Sequence, residues 1–173
     1  MLISTSRKPS SKTRAFSKNL SHALDCNYIN RGKMSMRELQ LKSSEEGSDT
    51  IALIYEMKGN PSKITFFSND GEELLAIIGS VNTTKERLNI KTDDLSFYSE
   101  YPELTILEEI FPIVKDSQDK SSKANHIYVE KLEDISEDTE DYNKKIAIIH
   151  FFNRDGNDTG LKINVRKVIN NKS

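Results

Sequence analysis

Apolar positions in this chain follow two periods, and the first half is the better patterned. Phe16, Leu20, Ala23 and Leu24 fall at i, i+4, i+7 and i+8, one stripe of a helix. At about 100° per residue, Arg14 and Lys18 then point to the opposite face. Residues 2–4 form a short strand candidate that Pro9 ends, and Ser10 or Ser11 is placed to cap the helix. Residues 28–30 are a second short strand. Ser35-Met-Arg-Glu38 has the form of a capping box, with Met34 and Leu39 in the two staple positions. A second helix starts there, and Gly47 ends it.

Beyond Gly47 the period changes to that of strands. Residues 50–57 are rich in β-formers, and Lys58-Gly59-Asn60-Pro61 is turn chemistry. Residues 64–68 and 74–78 are strands joined by a tight turn at Asn69-Asp70-Gly71. The first half is thus predicted as β-α-β-α-β-β-β.

The second half is less regular. Residues 88–90 are a strand candidate. Pro102 opens a short helix with Leu104, Leu107, Ile110 and Phe111 on one face, closed by Pro112. A polar loop over 116–125 precedes a strand at 126–132. Residues 133–141 hold six acids in nine positions, the composition of a solvated loop. Strands at 146–152 and 161–169 form a last hairpin. Phe66-Phe-Ser-Asn-Asp-Gly71 is echoed by Phe151-Phe-Asn-Arg-Asp-Gly156, 85 positions later. Chance and an internal duplication explain that echo about equally. A duplication would divide the chain near residues 81–84.

Composition narrows the possibilities. At 173 residues, with 35% hydrophobic and 30% charged positions, the chain suits one domain or two small halves. There is no tryptophan. The single Cys26 excludes an internal disulfide and a thiolate-rich zinc site, and it reads as a small buried apolar residue. No apolar run reaches the roughly 18 residues of a membrane span, and the N-terminus lacks a signal-peptide core. A soluble, cytoplasmic protein is expected.

Catalytic signatures are missing. His22, His126 and His150 have no metal-ligand spacing, and His150 reads as a satisfied strand histidine. Neither a nucleophile elbow nor a dinucleotide or Walker-type glycine loop is present. Asn30-Arg-Gly-Lys33 ends in Gly-Lys but lacks the upstream glycine. No enzyme, metal or cofactor is expected.

What the net charge of −2 conceals is segregation. The first 42 residues carry nine Lys or Arg against Asp25 and Glu38, about +7; the other 131 carry sixteen bases and twenty-five acids, about −9. The cations gather at the two helix starts. Arg7, Lys8, Lys12, Arg14 and Lys18 belong to the first. Arg31, Lys33 and Arg37, with Asn30 and the permissive Gly32, belong to the second. Cations at helix N-termini suit phosphate. The first unit is the stronger anion candidate, because its first-turn amides add to the side chains. In the second, the capping box uses part of the N-terminus and Glu38 repels an anion, so side chains matter more. Nucleic acid, an acidic protein partner and mere solvation all remain open on spacing alone. Tyr55, Phe66, Phe67, Phe151 and Phe152 could stack on bases, but within strands they read first as core.

The same segments resemble a known family. Ser6-Arg-Lys-Pro-Ser-Ser-Lys-Thr-Arg-Ala-Phe16, then Asn30-Arg-Gly-Lys-Met-Ser-Met-Arg-Glu-Leu39, then Lys58-Gly-Asn-Pro61 are similar in order and spacing to the Brix domain proteins of ribosome biogenesis, in their stand-alone archaeal form. The resemblance implies one α/β domain over 1–173 with similar halves, 1–81 and 84–173, each like the anticodon-binding domain of class II aminoacyl-tRNA synthetases. It implies a non-enzymatic factor that binds ribosomal RNA precursor, acts in rRNA processing and subunit assembly, favours the small subunit, and meets ribosomal or assembly proteins. By motif match the implied RNA contacts are Arg7, Lys8, Lys12, Arg14, Asn30, Arg31, Lys33 and Arg37, with Lys18 added from the helix pattern. No family motif is matched after about residue 78. An alternative is a protein-interaction module that bridges assembly factors through its basic face and acidic loop. Transfer-RNA binding is a third reading that rests on fold analogy alone.

Overall fold

The computed structural model describes residues 1–86, 88, 95–113, 125–133 and 144–171. These residues form one nine-stranded sheet with helices on both faces. The chain runs β1 (Leu2–Thr5), α1 (Ser11–Ala23), β2 (Asn27–Tyr28), α2 (Met36–Glu45), β3 (Thr50–Met57), β4 (Asn60–Ser68) and β5 (Glu73–Asn82). It continues with β6 (Ser96–Ser99), a 3₁₀ turn (Pro102–Leu104), α3 (Leu107–Ile110), β7 (His126–Lys131), β8 (Ala147–Phe152) and β9 (Asp158–Asn170).

The strand order is β2-β1-β3-β4-β5-β9-β8-β7-β6. β1 runs parallel to β2 and β3, and β6 runs parallel to β7. The remaining neighbours are antiparallel. Each half therefore leads from a parallel pair into a three-stranded meander. The two meanders join through their last strands, β5 and β9, so β1-β3-β4-β5 is mirrored by β6-β7-β8-β9, and β2 has no counterpart among the described residues.

Why these residues form these elements follows from which face each strand must bury. Ile51 and Leu53 of β3 point toward Leu39 of α2, whereas Ala52 and Ile54 point into the main core with α1. A strand covered on both faces needs a near-continuous apolar run, as Ile51 to Ile54 supplies. The α1 stripe Phe16, Leu20, Ala23 and Leu24 is wholly buried, while Arg14 and Lys18 are exposed. Ser10 caps α1, and the Ser35–Glu38 capping box forms in both directions. Gly47, at φ +70°, follows α2. Lys58 and Gly59, at φ +50° and +77°, make the two-residue turn between β3 and β4. That backbone is the one antiparallel hairpins favour.

Four expectations are revised. The helix opened by Pro102 is two short pieces, a 3₁₀ turn and α3, although Leu104, Leu107, Ile110 and Phe111 are all buried. β6 is a strand that the apolar pattern does not predict. β4, β5 and β9 begin earlier or run longer than their apolar cores, because ladder pairing carries polar neighbours along. The second strand sits at Asn27–Tyr28, with Ile29 N–H still donating to the Ile3 carbonyl. The 88–90 strand, apart from buried Leu88, and the 116–125 loop, apart from Asn125, lie outside the described residues, as does the acidic run after Glu133.

One close approach fixes the seam between the halves. β5 has a register shift between Ile78 and Gly79 where it pairs with β9. A Cβ on Gly79 would sit 1.8 Å from the Asn164 carbonyl oxygen. Only glycine fits there. The core is shared as well, since Leu75 and Ile77 of β5 and Ile163 and Val165 of β9 belong to one buried cluster.

Candidate nucleic-acid interface

The turn after β1 and the turn before α2 face each other at one end of the sheet. Arg7, Lys8, Pro9 and Arg14 from the first, with Asn30, Arg31, Gly32 and Lys33 from the second, line a cleft of about 680 Å³. That volume lies within the range of roughly 300–1,000 Å³ seen for ligand pockets. Five of the lining residues are cationic and none is acidic. Of the nine predicted contact residues, six meet here: Arg7, Lys8, Arg14, Asn30, Arg31 and Lys33. Three do not. Lys12 reaches from α1 to Asn60 Oδ1 at 3.3 Å, and Lys18 and Arg37 are exposed on their helices outside the cleft.

Each turn is held by bonds that join distant segments. Arg31 donates Nε–H to the Met34 carbonyl (2.7 Å) and Nη1–H to the Thr5 carbonyl (3.2 Å). It ties the end of β1 to the start of α2. Burial, and then the neighbouring Arg7, push its pKa below the usual guanidinium value. It stays charged at neutral pH all the same. A half-buried cation beside a second one is an environment that an anion relieves. Tyr28 donates its hydroxyl to Asn30 Oδ1 at 3.1 Å and lies close enough to feel Arg14. Lys8 is at φ +53°, a conformation costly for a residue with a Cβ. Gly32, at φ +52°, meets no such cost.

The α1 start holds a carboxylate from a distant strand, and its N-cap is engaged by the chain itself. Ser10 Oγ accepts from Thr13 N–H (3.2 Å), and the Glu56 carboxylate accepts from Ser10 N–H (2.9 Å) and from the Thr13 hydroxyl (2.5 Å). Those two bonds, Thr13 first, hold the Glu56 carboxyl below the usual range. A carboxylate of the protein thus sits beside the start of α1 and offsets part of the positive potential there. At α2, Ser35 hydrogen bonds hold the Glu38 carboxyl low, and Arg7 adds to that effect.

Glu56 and Tyr28 are positioning residues that sequence reasoning missed. Glu56 is remote from the cations in sequence, so spacing could not find it; Tyr28 lies three residues before Arg31 and reads there only as part of a strand. The third motif gains a physical role. Ser10 Oγ–H donates to the Gly59 carbonyl at 2.8 Å, so the β3–β4 turn buttresses the α1 cap. Cys26 packs against the main core, and burial pushes its thiol up to about 12. It is no nucleophile at neutral pH.

Among the described residues, no three His, Cys, Asp or Glu are placed to hold a metal, and no helix is long and apolar enough to cross a membrane. No family model matches the chain. It is 47% identical over 73 residues to a protein of Methanothermobacter thermautotrophicus named "probable Brix domain-containing ribosomal biogenesis protein"; the match covers 42% of this chain and 44% of that one. A protein of the same name from Methanosarcina mazei is 43% identical over 77 residues, covering 44% of this chain and 47% of the other. The chain thus aligns with about half the length of the curated relatives it matches. In fold the likeness is wider. A crystal structure of Mil, an archaeal Imp4-like protein, superposes with a TM-score of 0.75 at 25% identity, over 98% of this chain and 99% of that one. A ribosomal biogenesis protein from Aeropyrum pernix, at 20% identity and a TM-score of 0.67 over 95% of each chain, shares the fold. Over less than half of its length in sequence, and over nearly all of it in fold, this chain is similar to archaeal proteins named for a Brix domain, for Imp4 and for ribosome biogenesis.

Proposed function

We propose that the chain is a non-enzymatic RNA-binding factor of ribosome biogenesis, acting in pre-rRNA processing and subunit assembly. The observation that carries this is the cleft between the β1–α1 and β2–α2 turns, which gathers five cations and no acid from a chain that is acidic elsewhere. Phosphates supply most of the sequence-independent affinity in such contacts. Arg7, Lys8, Arg14 and Lys33 act as the phosphate ligands, Arg31 both shapes the cleft and adds charge, and Asn30 offers an amide. The names of the relatives support the ribosomal setting, and the family resemblance favours the small subunit.

The mirrored strand order, and the place of the Phe-Phe echo at the β4–β5 and β8–β9 turns, support halves that arose by duplication within one domain. The likeness of each half to a tRNA-synthetase anticodon-binding domain belongs to the same proposal.

The test is anisotropy of labelled pre-rRNA fragments from both subunits, against duplex DNA, with tRNA as competitor, across a salt series. Arg7→Ala, Arg14→Ala and Lys33→Ala are combined, leaving Arg31 in place because its carbonyl bonds are structural. The log affinity against log salt should flatten by about 0.7 to 0.9 for each phosphate that is no longer neutralised. All three side chains are exposed, so Tm should hold. An unchanged slope would remove these residues from the interface. Capture of partners that survives nuclease treatment would turn the cleft into a site for an acidic protein.

A further inference from the structure

The second half has an open sheet face. In the first half α2 covers the face that carries Ile51 and Leu53. In the second half no helix packs on the corresponding face among the described residues, and that face is lined with rings. Tyr98 of β6 pairs in register with Tyr128 of β7, and Tyr128 with His150 of β8. Tyr98 and Tyr128 lie parallel with centroids 6.0 Å apart, and Tyr128 and His150 are 5.9 Å apart. A second row stacks His126 on Phe152 at 4.3 Å.

Orientation decides what this surface can hold. Rings stacked from strand to strand stand on the sheet like books on a shelf. Their faces are spent on each other, which leaves edges toward solvent. A row of nucleotide bases needs ring faces laid open. Here the free ring face is the outer one of Tyr98, on the last strand in the order, and Tyr98 is 65% exposed.

Charge points the same way. Glu100 accepts from the Tyr128 hydroxyl and from Lys131 N–H (3.1 Å), which places it beside the ring row and keeps it ionised at neutral pH. Glu130 bonds His150 Nε2 at 2.7 Å, and Asp158 binds Lys162 at 3.1 Å. Glu130 and Asp158 thus have partners of their own, and Glu100, the carboxylate beside Tyr98, is the one that repels a phosphate chain and attracts a cation.

We propose that this face docks an arginine-bearing extended segment of a partner protein, with a guanidinium stacked on the outer face of Tyr98 and drawn there by the negative charge of nearby Glu100. Arginine suits this surface, since its planar group stacks on aromatics and keeps its charge. Among the described residues β6 is the last strand, and its outer edge adds backbone groups that an extended segment can pair with. This site lies on the other half from the cationic cleft and does not depend on the RNA reading.

The test uses the full chain and a fluorescein-labelled twelve-residue Arg-Gly repeat peptide, with labelled oligouridylate in parallel. Tyr98→Ala should weaken peptide binding about two- to fivefold, Tyr98→Phe should leave it unchanged, and Glu100→Gln should weaken it and reduce its salt dependence. The Arg7→Ala, Arg14→Ala pair should lower oligouridylate affinity and spare the peptide. Equal peptide binding by the wild type and Tyr98→Ala would overturn the proposal. So would a loss of oligouridylate rather than peptide in Tyr98→Ala, which would make the face an RNA surface.

Discussion

Lys8 sits in the left-handed region at φ +53°, immediately before Pro9, in the wall of the cleft. A side chain there costs of order 1–2 kcal/mol, and strain of this kind persists where a ligand contact repays it. Lys8→Gly should therefore raise stability by up to about 1 kcal/mol after the extra unfolded-state freedom of glycine is set against it. It should also weaken RNA binding and lower the salt dependence by one phosphate. Denaturant melts and the salt series check both; a destabilised Lys8→Gly would mean that the lysine stem packs rather than strains. That lysine and its neighbours were legible in the sequence, because cations without nearby acids at two helix starts are a compositional signal. What spacing could not show is how the turns are held. Glu56 lies 46 positions from Ser10, and the two carbonyl bonds of Arg31 run to backbone, which no side-chain pattern records.

At the scale of elements, legibility followed the strength of the local period. The α1 stripe, the capping box and the β3 run each had several residues pointing to one answer, and each element formed where they indicated. β6 has four residues, Ser-Phe-Tyr-Ser, with no turn signal at either end. Its pairing with β7 is a tertiary fact. The helix from Pro102 broke in two because its buried residues are spaced to reach the core from a 3₁₀ turn followed by a single α turn. The α1 start carries a pH dependence. The Glu56 carboxyl is held low in the folded state, below the unfolded value of about 4.3. Its contribution is therefore complete above that value and disappears as pH falls through the lower folded value. Glu56→Gln should lower Tm near neutral pH, and the gap to the wild type should close as the pH falls below the usual glutamate range. An equal gap through that fall in pH would mean that the Glu56 carboxylate charge contributes nothing to α1.

The whole molecule is one sheet, and its two halves share it through β5 and β9. They pair over eight residue positions from Leu75↔Asn170 to Asn82↔Lys162, and Asn164 Nδ2–H donates to Asn82 Oδ1 across the seam at 2.9 Å. Leu75, Ile77, Ile163 and Val165 place the shared core on that same seam. Separating the halves would expose two sheet edges and the apolar face between them, so the halves are expected to depend on each other for folding. Halves joined this way should melt as one unit, despite the opposite charge of their sequences. Thermal unfolding followed by far-ultraviolet circular dichroism and by amide exchange in β3 and β7 should give one coincident transition. Gly79→Ala probes the seam directly. Its Cβ would meet the Asn164 carbonyl, and β5 and β9 would have to part locally, at a cost of about 3 kcal/mol or more by the scale of core overpacking. If the halves are coupled, protection in β3 and β7 falls together in that variant, although neither strand touches residue 79. If β3 keeps its protection while β7 loses it, the first half folds alone, and the cationic cleft could serve as a module without the second half.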